Sequence, residues 1–242
     1  MTTLVKFIVT TVISLTLFSC NFDMNLNSGI RGNGDVITEV RTINESFSTI
    51  RATEGLDVYL TQSDNENVSV EADGNLQEII LTEVKDGVLK IHTKKNIGKA
   101  TSKKVHVRFK NISSIISTSG SDVYSTHTIT TERLDLKSSS GSDMEVDVNT
   151  SVLNCKSSSG SDMRISGKTT KLVAEASSGA DIKAADLMAE SSEVKASSGA
   201  DITINTSKEL TARASSGGDI KYYGNPEKVD KSDSASGSVK QK

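Results

Sequence analysis

The chain is poor in several residue types that most folds of its size use. Its 242 residues include one proline, two cysteines and no tryptophan, and aromatic residues make up only 4%. The scarcity of aromatic rings argues against strong stacking on sugars and favours stacked strands with small side chains inside. The formal net charge is −3 and no basic block stands out, so nucleic acid is a poor candidate partner.

A short phrase repeats through the second half of the chain. It reads Ser-Gly, then Ser, Ala or Gly, then Asp, and its six copies are separated by steps of 21, 19, 19, 20 and 18 residues. A period near twenty is typical of one coil of a solenoid, which becomes stable only when several coils stack. The copies end at Asp122, Asp143, Asp162, Asp181, Asp201 and Asp219.

The residues around each phrase alternate between apolar and polar. Near Gly160, for example, Leu153, Cys155, Met163 and Ile165 occupy alternate positions. This period of two indicates strands with one buried face. We therefore predict an all-β, single-stranded β-helix whose coils of about twenty residues pair as parallel strands ~4.8 Å apart. Each coil should contain two short strands that meet at a glycine corner, and a connection of variable length.

The pattern divides the chain into four parts. Residues 1–19 are predicted to be a lipoprotein signal peptide, 20–33 a polar tether, 34–225 the β domain and 226–242 a disordered tail with little to bury. Within the domain, 34–112 has the pattern of an irregular β region and 113–225 that of the repeated coils. The Asp86-Gly87 step predicts a hairpin. The degenerate phrase that ends at Asp57 leaves open that the coils begin earlier.

The N-terminus has the form of an export signal. Lys6 precedes an apolar run that is too short to favour a membrane span, and Leu17-Phe18-Ser19-Cys20 resembles the lipobox of bacterial lipoproteins. This motif predicts lipid attachment at Cys20 and an outer-membrane lipoprotein that faces either the periplasm or the cell surface. The alternative is an ordinary cleaved signal in which Cys20 has no role.

The remaining cysteine and the histidines give no sign of a reactive or metal centre. With Cys20 lipidated, Cys155 has no partner for an intramolecular disulfide, and its inward position predicts a small buried hydrophobe. His92, His106 and His127 show no shared ligand spacing. We expect no cofactor, no required metal and no catalytic residue.

Residues 47–91 carry a family resemblance. Phe47-Ser48-Thr49-Ile50-Arg51, the segment from Gly55 to Gln62, Val68-Ser69-Val70-Glu71-Ala72-Asp73 and the segment from Val84 to Ile91 are similar to the head GIN domain family of auto-transporter adhesins, a domain of unknown function common in Bacteroidetes lipoproteins. The resemblance extends from about Asp35 to Tyr223. It implies a right-handed β-helix, a cell-envelope location and an adhesin-like role, and it supplies no catalytic residues.

Stacked coils would bring the six aspartates of the phrases into one row. In-register carboxylates lie about 5 Å apart and repel one another. We expect corner amides and serine hydroxyls to satisfy them, a role that aspartate often plays in turns. The alternative is a row of Ca²⁺ sites at the same six residues, since Ca²⁺ prefers carboxylate oxygen.

A second row is cationic and is a candidate face for an anionic ligand. It is formed by Lys137, Lys156, Lys195 and Arg213, which all stand four residues before a glycine of the phrase. The row is either a binding face for acidic polysaccharide or a solubilising face that balances the aspartates.

Three functions are compatible with these patterns. The first is a non-catalytic envelope lipoprotein that presents its surface to a protein or glycan partner. The second is a self-assembling scaffold, because solenoid ends expose strand edges that can pair. The third is a polysaccharide-active enzyme, which the short connections disfavour because they are too short to wall a cleft.

Overall fold

The computed structural model describes residues 29–234 and 236–242. The predicted signal peptide and Cys20 lie outside these residues. No helix in the described ranges is long and apolar enough to span a membrane. Strands dominate, with one 3-10 turn at Gly74–Leu76. In chain order the strands are β1 (Val36–Arg41), β2 (Thr49–Ala52), β3 (Asp57–Gln62), β4 (Asn67–Asp73), β5 (Ile80–Lys85), β6 (Val88–Thr93), β7 (Lys103–Phe109), β8 (Ser114–Thr118), β9 (Asp122–Ser125), β10 (Ile129–Ser139), β11 (Asp143–Ser158), β12 (Asp162–Ser177), β13 (Asp181–Ser197), β14 (Asp201–Ala214), β15 (Asp219–Tyr223), β16 (Lys228–Asp233) and β17 (Ser238–Gln241).

The repeated coils form the predicted β-solenoid. β11 pairs with β12, β12 with β13 and β13 with β14, each in parallel, and equivalent residues of successive phrases are direct neighbours. The alternate positions that the sequence marks as apolar point inward, where Leu153, Met163, Ile165 and Leu172 are buried. The all-β solenoid is therefore confirmed, and its core is a stack of similar small layers.

Each coil is more continuous than the prediction of two short strands and a connection. From β11 onward, one strand runs from the aspartate of one phrase to the region just before the next phrase, over 16 residues in β11 and 17 in β13. The extra residues of the longest coil lie at β-bulges of β13, between Lys183 and Leu187 opposite Arg164–Gly167 and between Ala184 and Met188. The predicted connection is thus a paired part of the strand, because bulges take up extra residues without ending the ladder.

The corner requires a left-handed backbone at two consecutive residues. In the phrase Ser159-Gly160, φ is 57° at the serine and 66° at the glycine, and all six phrases repeat this pattern. Glycine adopts this conformation without the strain of a β-carbon. A β-carbon on Gly160 would meet no atom within 4 Å, so the glycine is needed for conformation and not for space.

Buried serines fill the inside of two corners as hydrogen-bonded pairs. The hydroxyls of Ser157 and Ser161 lie 2.8 Å apart, and Ser157 also donates to the Ser161 carbonyl at 2.9 Å. In each of the next two coils, alanine replaces both partners, at Ala176 with Ala180 and at Ala196 with Ala200. This joint replacement is expected because truncating only one of the two serines removes a hydrogen bond from the buried hydroxyl that remains.

The serine pair gives a first prediction. Ser161→Ala alone should lower the free energy of unfolding by about 1–2 kcal/mol, since it leaves the buried Ser157 hydroxyl with fewer partners. Ser157→Ala with Ser161→Ala should cost less than the sum of the two single changes. Denaturant unfolding of all four proteins measures the coupling, and additive effects would contradict the account.

The solenoid begins earlier than residue 113. β2 pairs in parallel with β8, and β3 with β9, so residues 49–62 form a complete coil whose corner is Glu54-Gly55, with φ of 64° and 71°. The next layer outward, made by β6 and β7, follows later in the chain. The prediction of an irregular region over residues 34–112 is therefore wrong in this part, because two coils lie in the stack out of chain order.

Antiparallel strands close the N-terminal end of the stack. β5 pairs with β6 through the two-residue Asp86-Gly87 turn, which confirms the predicted hairpin. β4 pairs with β7, and β1 pairs with β4. Because two successive antiparallel pairings restore direction, β1 runs the same way as the coil strands that follow.

Both predicted flanks of the domain differ from the structure. In the tail, β16 pairs with β14 and β17 with β15, so residues 228–233 and 238–241 add one more layer. Composition predicted disorder, yet backbone pairing, the ion pair of Arg213 with Asp230 and the buried side chain of Val239 hold this layer in place. At the other flank, the last tether residues dock on the domain: the Ile30 amide donates to the Asn96 carbonyl and Ile30 pairs with Ile97.

Candidate functional site

The predicted aspartate row exists and is longer than the phrases indicated. Parallel pairing places each aspartate of the phrases beside the next one, and Asp57 adds a seventh member next to Asp122. We call this set the aspartate row: Asp57, Asp122, Asp143, Asp162, Asp181, Asp201 and Asp219.

The expected hydrogen bonds to the row are largely missing. Among the described residues, one hydroxyl donates to it, from Ser238 to Asp219 at 2.6 Å. Lys183 lies 3.0 Å from an Asp162 oxygen and 3.4 Å from an Asp181 oxygen, and the hydrogen bond to Asp162 raises the pKa of the lysine. The prediction that amides and hydroxyls satisfy each carboxylate is therefore wrong for most of the row. Asp122 is an exception, because a hydrogen bond from the Asp143 backbone amide acts to lower its pKa.

Within the described part of the chain, no three or more His, Cys, Asp or Glu side chains converge as a set that could hold a metal ion. The aspartate row supplies one carboxylate per layer, each beside its equivalent in the next coil. Ca²⁺ binds six to eight oxygens that converge on one point, which is a different arrangement.

The crowding in the row gives a second prediction, at Asp122. Burial raises the pKa of this carboxyl, and the neighbouring Asp143 and Asp57 raise it further. Because the folded pKa lies above the unfolded one, ionised Asp122 destabilises the fold at neutral pH. Asp122→Asn should therefore raise the melting temperature at pH 7 by about 1–2 °C.

The pH dependence provides the check on Asp122. The gain should be complete above the raised pKa and should vanish as the pH falls below ~4, where the carboxyl is protonated even in the unfolded chain. Thermal unfolding between pH 3.5 and 7 measures it, with Asp186→Asn as the control because Asp186 is exposed outside the row. An unchanged melting temperature at pH 7 would contradict the argument.

The cation row is also brought into register, but Glu175 interrupts it. The paired order is Lys137, Lys156, Glu175, Lys195 and Arg213. The Lys156 ammonium lies 3.4 Å from Glu175, and that of Lys195 lies 3.9 Å from it. Surface pairs of this kind add little stability, yet they neutralise the row as a site for anions.

The last member of the row is engaged most fully. The Arg213 guanidinium holds Asp230 of β16 through contacts of 2.6 and 3.2 Å, and it also donates to the Asp230 carbonyl. Only Lys137 among the four cations has no ion pair within the described residues. The geometry therefore favours a role of this row in joining coils over a role as an open anionic-ligand face.

Sequence reasoning missed an aromatic ladder on the outer face. The rings of Tyr59 and Tyr124 stack with centroids 5.3 Å apart, and His106 stacks on the other side of Tyr59 at the same distance. Both tyrosines stand two residues after a row aspartate, Asp57 or Asp122. The degenerate phrase at Asp57 could have revealed the pair if its register had been extended.

The ladder is held at one end by charged neighbours. Glu71 lies 3.4 Å from the His106 ring nitrogen and 3.5 Å from Lys104. Burial raises the pKa of Tyr124, and the nearby Asp122 and Asp57 raise it further. Since the rings cover one another's faces, the ladder presents mainly ring edges and hydroxyls, which suit hydrogen bonding better than stacking on a sugar.

A groove runs across the coils at the second corner of each coil, on the far side from the glycine corner. We call it the corner groove. Its volume is about 540 Å³. Four of its side chains form one register row that points outward: Asn149, Lys168, Met188 and Asn205. The remaining lining residues are Thr150, Thr169, Thr170, Ala189, Glu190 and Ser207.

Bulges in the strands shape this groove. Between Ala184 and Met188 the register shifts, so that Leu187 is fully buried while Met188 is 65% exposed. Below the groove, the hydroxyl of Thr150 donates to that of Thr169 at 3.0 Å. The hydroxyls of the floor are therefore fixed, while Asn149, Lys168 and Asn205 keep polar groups free to reach a ligand.

Cys155 lies inside the coil, as the sequence predicted. Cys155 is buried, and this burial raises the pKa of its thiol far above the usual range. A thiol that stays protonated is a poor nucleophile, which agrees with a packing role. The histidines lie apart in the structure: His92 contacts Glu83 at 3.0 Å, and His127 contacts Thr126 at 3.0 Å.

Several solved structures share this fold. A crystal structure of a "putative adhesin" from Bacteroides fragilis NCTC 9343 superposes with a TM-score of 0.80 at 23% identity, and covers 88% of this chain and 99% of its own. A "putative lipid binding protein" from Parabacteroides distasonis ATCC 8503 has a TM-score of 0.73 at 22% identity, and covers 88% and 98%. A "putative adhesin" from Parabacteroides merdae ATCC 43184 has a TM-score of 0.71 at 18% identity, also with 88% and 98%.

The sequence comparisons match the chain to a family but to no individual curated protein. No curated protein matches the chain significantly. A family model does match, over residues 46–226, and its description is "Putative auto-transporter adhesin, head GIN domain". An adhesin-like family indicates a location at the cell envelope or the cell surface. The match spans most of the solenoid, including the coil that the degenerate phrase at Asp57 begins, and the chain therefore belongs to the head GIN domain family.

Proposed function

We propose that this protein is a non-catalytic lipoprotein of the outer membrane that adheres to a glycan through its corner groove. The observation that carries the proposal is the groove itself, an open concavity that crosses several coils and is lined mainly by amide, hydroxyl and charged side chains. Family membership supports an adhesin-like role at the envelope. The structure adds a specific surface on which that role can be tested.

The chemistry of the lining suits a polyhydroxylated chain. Asn149 and Asn205 offer both donors and acceptors, and the coil repeat of ~4.8 Å spaces such groups along the groove. Lys168 is exposed and forms no ion pair with the described residues, whereas Glu190 of the lining is paired with Lys208 at 2.5 Å. Lys168 is therefore free to meet a sugar carboxylate. We therefore expect a preference for uronate-bearing glycans. An open groove leaves much of a ligand in water, so a single site should bind weakly.

Lipid binding is the second candidate, because one neighbour of known structure carries that name. The corner groove favours it less. Met188 is its one large exposed apolar side chain, and an acyl chain lying there would also cover the amide, hydroxyl and charged groups of the lining, which lose their contact with water. The lipid that we propose on Cys20 differs from such a ligand, because it would anchor the protein and would not occupy the groove.

The anchor has its own test. Cells that express the full chain are labelled with radioactive fatty acid, and membrane and soluble fractions are compared with those of Cys20→Ala. We expect the parent chain to incorporate label and to stay with membranes, and the variant to lose both. A Cys20→Ala protein that still partitions with membranes would remove the lipoprotein part of the proposal.

Binding to polygalacturonate and to neutral dextran tests the groove. Surface plasmon resonance compares the full chain with Lys168→Ala, Asn205→Ala and Lys137→Ala. Lys221→Ala is the matched control, because Lys221 lies on another face. We expect preferential binding to polygalacturonate that both groove variants weaken at least about fivefold, or ~1 kcal/mol, while Lys221→Ala leaves it unchanged. The polymer should be recovered uncut. Loss through Lys137→Ala instead would move the site to the cation row, and cleavage of the polymer would restore the enzyme hypothesis.

A further inference from the structure

The first strand of the domain is an edge with an apolar surface. Among the described residues, β1 pairs only with β4, so its other side has no strand beside it. Three of its six residues are large, apolar and exposed: Val36 at 40%, Ile37 at 44% and Val40 at 69%. Natural edge strands usually carry charges or proline that prevent pairing with another chain. This one lacks such protection over most of its length.

The hydrogen-bonding phase of β1 fixes which groups face the open side. The Gly74 amide donates to the Asp35 carbonyl at 2.8 Å, and the register then pairs Ile37 with Ala72 and Glu39 with Val70. In an antiparallel pair, alternate residues direct both backbone groups to the partner. The odd-numbered residues therefore bond to β4, and the N–H and C=O groups of the intervening residues point to the open edge. These intervening residues are Val36, Thr38 and Val40.

We propose that a second copy of this chain occupies the edge, so that two β1 strands pair antiparallel about a two-fold axis at Thr38. In this register Thr38 faces its own equivalent, and Val36 of each copy faces Val40 of the other. All three are residues whose backbone groups point to the open edge, so the phase permits a regular ladder. Two Val–Val contacts and the Thr–Thr contact then lie on one face of the joined sheet.

The other face of the strand supports the same register. It places Asp35 opposite Arg41 at both ends of the pair, so no like charges face each other there. The Arg41 guanidinium itself is held within its own chain, by Glu39 at 2.9 Å and by Gln77 at 2.7 Å. Moving the centre by one residue toward the N-terminus would instead place Asp35 opposite Glu39, a like-charge pair. It would also replace both Val–Val contacts, since Val36 would face Thr38. Centring the pair on Thr38 therefore keeps both Val–Val contacts and avoids this like-charge pair.

This dimer is closed and leaves the corner groove free. A two-fold axis uses the same edge on both copies, so assembly stops at two chains, in contrast to the filament that end-to-end pairing of unlike ends would give. The two solenoids extend in opposite directions from β1. Their C-terminal layers and corner grooves lie away from the joint, so one dimer presents two grooves, and a weakly bound polymer gains from both.

Site-specific cross-linking tests the register. Full-length chains with Thr38→Cys or Val36→Cys are treated in the membrane with a thiol-to-thiol reagent a few ångströms long, beside the parent chain. Thr38→Cys should give at least about ten times the parent's dimer band, because directly opposed residues have Cα atoms ~5.5 Å apart. Val36→Cys should stay near the parent, because two Val36 residues would lie about 14 Å apart. Val36→Cys combined with Val40→Cys should restore the band.

The controls make each outcome decisive. Met188 is also exposed but lies on the corner groove, so Met188→Cys reports chance encounters. If Thr38→Cys gives no more dimer than Met188→Cys, or if Val36→Cys matches Thr38→Cys, the proposed pairing is overturned. Failure of this test leaves the groove proposal intact, since Lys168 and Asn205 lie on different strands from β1.

Sedimentation equilibrium of the full chain in detergent tests the energetics. Val40→Lys places two cations next to the joint and should weaken the dimer at least about tenfold, or ~1.4 kcal/mol. Met188→Lys adds the same charge elsewhere and should leave the dimer unchanged. Circular dichroism confirms that both fold. A parent chain that is monomeric at the highest concentration reached, or an unaffected Val40→Lys dimer, would contradict the proposal.

Discussion

Replacing Gly167 by alanine is expected to lower the free energy of unfolding by about 4 kcal/mol or more. Its φ is 104°, a conformation that L-residues rarely adopt. A β-carbon there would stand 2.0 Å from the Val148 carbonyl oxygen and 2.9 Å from the Val148 nitrogen. These are backbone atoms of the neighbouring coil, so the clash can be relieved only if the coils move apart.

Gly179 provides the matched control for Gly167. It lies at a glycine corner with φ of 68°, and a β-carbon there would meet no atom within 4 Å. Gly179→Ala should therefore cost only the left-handed strain of about 1–2 kcal/mol. Denaturant unfolding of both variants separates close approach from conformation. Equal decreases in the free energy of unfolding at the two sites would contradict this argument, because they would mean that the coils at Gly167 can move apart at little cost.

Leu172→Ala is expected to lower the free energy of unfolding by about 3 kcal/mol, or roughly 6–12 °C in melting temperature. Leu172 is completely buried and stacks on Leu153 in the inward row of the coils. Removing its side chain leaves a cavity that the rigid layers above and below cannot close. The effect is read from the midpoint of urea unfolding at constant slope.

The next coil supplies the control for Leu172 in the same row. Ser192 pairs in register with Leu172 and is buried, and its hydroxyl has no hydrogen-bond partner among the described residues. Ser192→Ala should therefore be neutral or stabilise the fold by about 1 kcal/mol, since it removes an unsatisfied polar group. A large loss at Ser192, or none at Leu172, would contradict the assignment of this row to the core.

Much of the fold follows from local signals in the chain. The Ser-Gly phrases set the period, and the alternation around Gly160 sets which side chains point inward, because a corner conformation and a two-residue period are properties of short segments. The Asp86-Gly87 turn could be predicted for the same reason. The order in which the N-terminal layers stack could not be predicted. That β2 lies between β6 and β8 depends on long-range pairing, which no local pattern encodes.

The candidate site was less accessible to sequence reasoning. The cation row and the place of Glu175 within it follow from the repeat register, but the ion pair of Arg213 with Asp230 depends on the tail strand, which composition did not predict. The corner groove depends on a bulge that turns Met188 outward and Leu187 inward, and the sequence there shows only a coil of slightly unusual length. The prediction of a disordered tail was wrong for another reason. Composition indicates how much apolar surface a segment can bury, while β17 is held mainly by backbone pairing with β15.

Oxidation of Met188 tests most directly whether the corner groove binds a glycan. Met188 is 65% exposed in the groove, whereas Met144 and Met163 are buried and serve as internal controls. The full chain is treated with dilute hydrogen peroxide, with and without saturating polygalacturonate, and sulfoxide formation at each methionine is followed by mass spectrometry. We expect the polymer to slow oxidation of Met188 several-fold and the other two methionines to remain unoxidised. An unchanged rate at Met188 under saturating polymer would contradict the groove as the binding surface.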